Sequence, residues 1–73
     1  MKIDISRHAR RRMKWRDINE DEFTDTVLHP EKIEDSINDR KNAFKHVGEK
    51  YLKVTFAREG DKIIVVTVID RNR

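Results

Sequence analysis

Two pairs of residues in this sequence have the types and spacing for acid–base work on a phosphate ester. His8 and Arg12 are four apart, so on a helix they stack on one side. The arginine offers a forked, permanently charged donor, and the histidine titrates near neutral pH. His46 and Lys53 form the second pair. Lys53 lies in an alternating segment where Tyr51, Lys53 and Thr55 point away from Leu52, Val54 and Phe56. A strand face carrying Tyr, Lys and Thr beside His46 suits cleavage of RNA. It would activate a ribose 2′-hydroxyl and hold the in-line phosphate with cations, without a metal.

Each group also has a structural reading. His8 suits helix packing, and Arg12 suits an ion pair with a carboxylate of a following acidic helix. Arg16, on the same side as Ala9 and Met13, suits a tether to the sheet or to that second helix. Arg7, Arg10, Arg11 and Lys14 fall on the opposite side of the helix, either as a phosphate-backbone patch or as a solvated face. Trp15 could stack on a base, although a single tryptophan in so small a protein more often belongs to the core. Arg40, Lys41, Lys45 and Arg71 add cations to the sheet region.

Other chemistries find no residues. There is no cysteine, which removes disulfides and thiolate metal sites. His8, His29 and His46 are not at metal-ligand spacing. Only Gly48 and Gly60 are present, so no glycine-rich phosphate loop or nucleophile elbow is available. No cofactor is implied, and His29-Pro30-Glu31 reads as a helix stop without chemistry.

The elements that must position these residues follow from pattern. Lys2 to Ile5 alternates as a short edge strand. Ser6 can cap a helix to about Arg16, and Asn19 a second from Glu20 to Leu28, with Glu20, Asp21 and Glu22 at its dipole-positive end. Pro30 stops that helix. Strands are expected over Lys32–Ile37, with Ile33 and Ile37 on one face, and over Ala43–Val47, Tyr51–Ala57 and Ile63–Ile69. The last is apolar on both faces, which predicts a central strand covered on both sides. Together these give an α+β domain spanning 1–73, two helices packed on a twisted antiparallel sheet of 3-4 strands after the short first strand.

Composition agrees with one small domain: 73 residues, 36% hydrophobic and 42% charged, the charge density also suiting surface ion-pair networks of a heat-adapted protein. No apolar run approaches the roughly 20 residues of a membrane span, and no signal-peptide core is present, so a cytoplasmic address without membrane contact is expected. Charge is blocked along the chain. Residues 1–16 carry seven Lys/Arg against Asp4, residues 17–35 eight Asp/Glu against Lys32, and residues 36–73 nine basic against five acidic groups. Such blocks imply a partner for each sign or oppositely charged faces meeting inside the fold.

Ser6-Arg7-His8-Ala9, Arg12-Met13, Arg16-Asp17-Ile18, the acidic helix ending at Leu28-His29-Pro30-Glu31, Leu52-Lys53-Val54 and Ile64-Val65-Val66-Thr67-Val68 together resemble a family. It is a small bacterial and archaeal domain family with the pattern His-Ala, Arg-Met, Arg-Gly-Ile, an acidic helix, a proline and a terminal Val-Val-Thr-Val strand, placed near the BrnT and RelE/ParE toxins of toxin–antitoxin systems. The resemblance runs from Ile5 to Ile69. It implies a RelE-like fold, an mRNA-cleaving toxin that could act on the ribosome, and an antitoxin partner. His8, Arg12 and Arg16 match its helix motif, and Lys53 and Thr67 its strand positions. Asp17 stands where the family usually has Gly. The residues so assembled are His8, Arg12, His46 and Lys53 for catalysis, and Arg7, Arg10, Arg11, Lys14, Arg16, Arg40 and Lys45 for RNA binding. The alternative is a non-catalytic protein-binding module that acts on a protein target, as ParE-type relatives do, or docks an acidic or helical partner, or else a decayed toxin that keeps the fold without activity.

Overall fold

The computed structural model describes residues 2–72; Met1 and Arg73, the ends of the expected domain 1–73, lie outside the described residues. Strand β1 (Lys2–Ile5) leads through Ser6 into helix α1 (Arg7–Trp15), and Asn19 opens helix α2 (Glu20–Leu28). The strands β2 (Lys32–Asp35), β3 (Lys41–Val47), β4 (Lys50–Glu59) and β5 (Lys62–Asp70) follow.

Capping sets both helices. The Ser6 hydroxyl accepts the Ala9 N–H at 3.1 Å and donates to the Val66 carbonyl at 3.0 Å, so the start of α1 is fixed to β5. Asn19 and Glu22 form a reciprocal capping box at 2.8 and 3.0 Å. Between the helices, Asp17 takes a left-handed φ of 55°. That is the conformation a glycine would supply at the end of a helix, so the departure from the family pattern leaves the turn intact at some cost in strain.

The sheet order is β1-β5-β4-β3-β2. Four strands are antiparallel, as expected, and β1 joins at the edge, parallel to β5. Both helices lie on one face. There Ala9, Met13, Ile18, Phe23 and Val27 meet Ala43, Leu52, Val54, Phe56, Ile63, Val65 and Val68 in one buried core. This order, a strand and two helices followed by antiparallel strands, is the RelE-like arrangement the resemblance implied.

Three local expectations are corrected. The central strand is β4, while β5 lies between β1 and β4, and Ile64, Val66 and Ile69 are only half-buried because no helix covers their side. A register shift after Thr55 makes Val66 an extra residue between the Thr55–Thr67 and Phe56–Val65 pairs. Inward parity therefore changes within the apolar run, which is why both Val65 and Val68 are buried. Second, β2 ends at Asp35, leaving Ile33 49% and Ile37 75% exposed. Third, Trp15 is 69% exposed and takes no part in the core.

Candidate functional site

With the helices on one side, alternation along β3 and β4 turns Asn42, Phe44, His46, Tyr51, Lys53 and Thr55 toward the uncovered face. Phe44 is nevertheless only 3% exposed. The Tyr51 ring stacks beside it with centroids 5.9 Å apart, and Lys32 Nζ and the Arg71 guanidinium lie 5.6 and 6.0 Å from its centroid. His46 also stacks with Tyr51, ring centroids 4.2 Å apart. Phe44, Tyr51 and His46 thus form a continuous aromatic row bordered by cations. Lys53 is one rung from His46, since it pairs with Phe44 while His46 pairs with Tyr51. The Thr55 hydroxyl donates to Asn42 Oδ1 at 2.7 Å, and Thr67 is the partner of Thr55 on β5.

His46 has a carboxylate partner: its Nδ1 lies 2.9 Å from Glu31 Oε1. The hydrogen bond from His46 holds Glu31 below the usual carboxylate range, against slight desolvation. In the tautomer that donates Nδ1–H to Glu31, Nε2 is left as the ring's acceptor. Nearby, Lys32 and Glu34 pair at 2.9 Å, which raises the lysine and lowers the glutamate from their ordinary values.

His8 and Arg12 are in the helix layer, so the two candidate pairs lie on opposite sides of the sheet. His8 is exposed; Arg12 and Arg16 are half-buried. Arg7, Arg10, Arg11, Lys14 and Trp15 line one shallow depression on the outside of α1. Among the described residues, the one ion pair between the helices is Arg10 with Glu20, at 3.7 Å and solvent-exposed. The acidic face of α2 is met instead from the sheet. Lys45 pairs with Asp25 at 2.7 Å, and Lys50 reaches both Glu22 oxygens at 3.0 and 3.2 Å. Lys45 is therefore on the helix side of β3, away from His46, and among the described residues Arg7, Arg11 and Lys14 of α1 meet no carboxylate. Arg40 sits in the β2–β3 loop beside Asp35, Ser36, Asp39 and Lys41.

Glu31, Phe44 and Arg71 carry more of this face than sequence reasoning gave them. Glu31 looked like part of a helix stop, and only the pairing of β2 with β3 brings it to His46, fifteen positions on. Among the described residues, no three His, Asp or Glu side chains converge as a metal site, and no helix is long and apolar enough to cross a membrane.

Searches of curated proteins and of solved structures returned no match. One family model matches residues 5–70, nearly the whole chain: Domain of unknown function (DUF4258).

Proposed function

The chain belongs to the DUF4258 family, and from that premise and its open sheet face we propose that it is a toxin-like domain acting on RNA, an mRNA endoribonuclease working without a metal. The observation that supports this most is the row Glu31–His46–Tyr51–Phe44 with Lys53, Lys32 and Arg71 around it. Aromatic rings accept bases, cations accept phosphates, and a carboxylate-oriented histidine moves protons.

In the reaction, His46 Nε2 takes the proton of a ribose 2′-hydroxyl. The 2′-oxygen attacks the adjacent phosphorus, and the bond from phosphorus to the 5′-oxygen breaks. The products are a 2′,3′-cyclic phosphate and a 5′-hydroxyl, the leaving oxygen receiving its proton from water or from the protonated imidazole. Lys53 and Arg71 offset the charge that builds on the phosphoryl oxygens. His8 and Arg12 share no surface with this row, so they serve RNA contact on α1 alongside Arg7, Arg11 and Lys14. Arg40 extends the cationic border, and an antitoxin covering the open face would silence it.

The test is cleavage of a 5′-labelled single-stranded RNA, with and without ribosomes and in excess chelator. His46→Ala and Lys53→Ala should abolish cleavage, while His8→Ala and Arg12→Ala weaken binding only. The reading fails if the folded parent neither cuts nor binds RNA under any of these conditions.

A further inference from the structure

The edge at β2 has an unusual composition for a free strand. Of the large apolar residues that are exposed, Leu28, Ile33 and Ile37 all belong to this end of the molecule, at 44, 49 and 75% exposure. Leu28 and Ile33 line a groove of about 410 Å³ with Val27, Phe56 and Ile63. The backbone of β2 is half-used. Ser36 N–H bonds the Arg40 carbonyl at 2.8 Å, which ends the β2–β3 ladder in a hydrogen-bonded pair. By alternation the Ile33–Ala43 pair is a non-bonded one, and Ile33 turns its N–H and C=O to the free edge.

We propose that this edge is a homodimer seam, in which two copies of the chain join antiparallel along β2 into one continuous ten-stranded sheet. The occupant is identified by charge. Faces are conserved across an antiparallel pair only when a residue opposes one of the same parity. A twofold axis at Ile33 sets Ile33 against Ile33 of the second copy on the helix side. On the open side it sets Lys32 against Glu34 and Glu34 against Lys32. Centring the axis on Lys32 or Glu34 would oppose like charges, so the strand complements itself in one register. Glu31 lies outside β2, its N–H bonded to the Phe44 carbonyl at 2.9 Å and its carboxylate to His46, and Lys41 holds Asp35 at 2.6 Å, so neither brings an unmatched charge to the seam. Leu28 and Ile33 of each copy then cover one another across the seam. The strand is only four residues long, so the contact is at the small end of specific interfaces and the dimer is concentration-dependent. At the other edge, β1 carries no comparable apolar group: its Asp4 is paired with Lys62 at 3.1 Å, and Ile3 and Ile5 pack against the core.

The proposal concerns assembly and stands whether or not the open face acts on RNA. Sedimentation velocity of the full chain, from micromolar to millimolar, tests it with two charge reversals whose folding is checked by circular dichroism. The parent should dimerise with rising concentration. Lys32→Glu opposes Glu with Glu34, and Glu34→Lys opposes Lys32 with Lys, so each alone should weaken self-association about tenfold or more. Mixing the two variants should restore a heterodimer, because every opposed pair is then Glu with Lys. A parent that stays monomeric throughout overturns the proposal. So does a dimer indifferent to both reversals, or variants that fail to associate on mixing.

Discussion

Glu31 and His46 meet at 2.9 Å where β2 begins, a carboxylate bonded to the inner nitrogen of an imidazole whose ring lies against Tyr51. Glu31→Gln retains a hydrogen-bond acceptor but removes the carboxylate that orients the imidazole through Nδ1. Cleavage of RNA should fall about 10- to 100-fold, with RNA affinity unchanged. A fall in kcat with KM unchanged would agree; an unaltered kcat would take Glu31 out of the reaction.

Lys53 and Arg71 border the aromatic row, and Arg7, Arg11 and Lys14 meet no carboxylate among the described residues. Replacing either sheet cation with Ala should weaken RNA binding and lower the slope of log affinity against log salt by about 1. Fluorescence anisotropy at several ionic strengths measures this. An unchanged slope for every cation variant would favour a protein partner.

Glu22 ties Asn19 to Lys50. Burial pushes its carboxyl up, yet the Asn19 N–H and the Lys50 ammonium outweigh it, so Glu22 sits below its ordinary value of 4.5. A carboxyl depressed in the folded state contributes stability above its unfolded pKa and loses it as pH falls through the folded one. Denaturant midpoints should accordingly drop below about pH 4.5. Glu22→Gln should cost about 1–2 kcal/mol at neutral pH and flatten that acid limb.

Asp17 occupies a left-handed turn with φ 55°, where its side chain bonds none of the described residues and its carbonyl accepts from Lys50. Asp17→Gly keeps the carbonyl and relieves the strain. The gain should be about 0.5–1 kcal/mol, or a few degrees in Tm for a domain this size. A lower Tm would show that the aspartate side chain does something the geometry does not reveal.

Trp15 is the sole tryptophan and stands in solvent among arginines. Trp15→Ala should shift stability by less than about 0.5 kcal/mol, and in the parent the emission should be red-shifted and quenched when single-stranded RNA binds.

The segments that announced themselves did so through local chemistry. Asn19 and Pro30 bracket α2, and it runs from Glu20 to Leu28 as their positions require. Ser6 likewise starts α1. The apolar run of β5 misled because period-two reasoning assumes an unbroken ladder, and Val66 interrupts it. Trp15 misled because size and hydrophobicity favour burial, whereas the helix turns that position outward. At the site, Tyr51, Lys53 and Thr55 shared a face by simple alternation. Glu31 with His46, and Arg71 over Phe44, depend on which strands become neighbours, and no spacing in the chain encodes that.

The parallel pairing of β1 with β5 places the first strand beside the last, with Ser6 bonded to a carbonyl sixty residues away. These partners leave the ribosome sixty residues apart. Until Ile63, Val65 and Val68 emerge, Ala9 and Met13 have no surface to rest on, so the basic helix is made early and completed late. Assembly therefore waits on β5, and a chain truncated before it would leave the apolar stripe of α1 uncovered, a substrate for proteases instead of a weakened version of the domain.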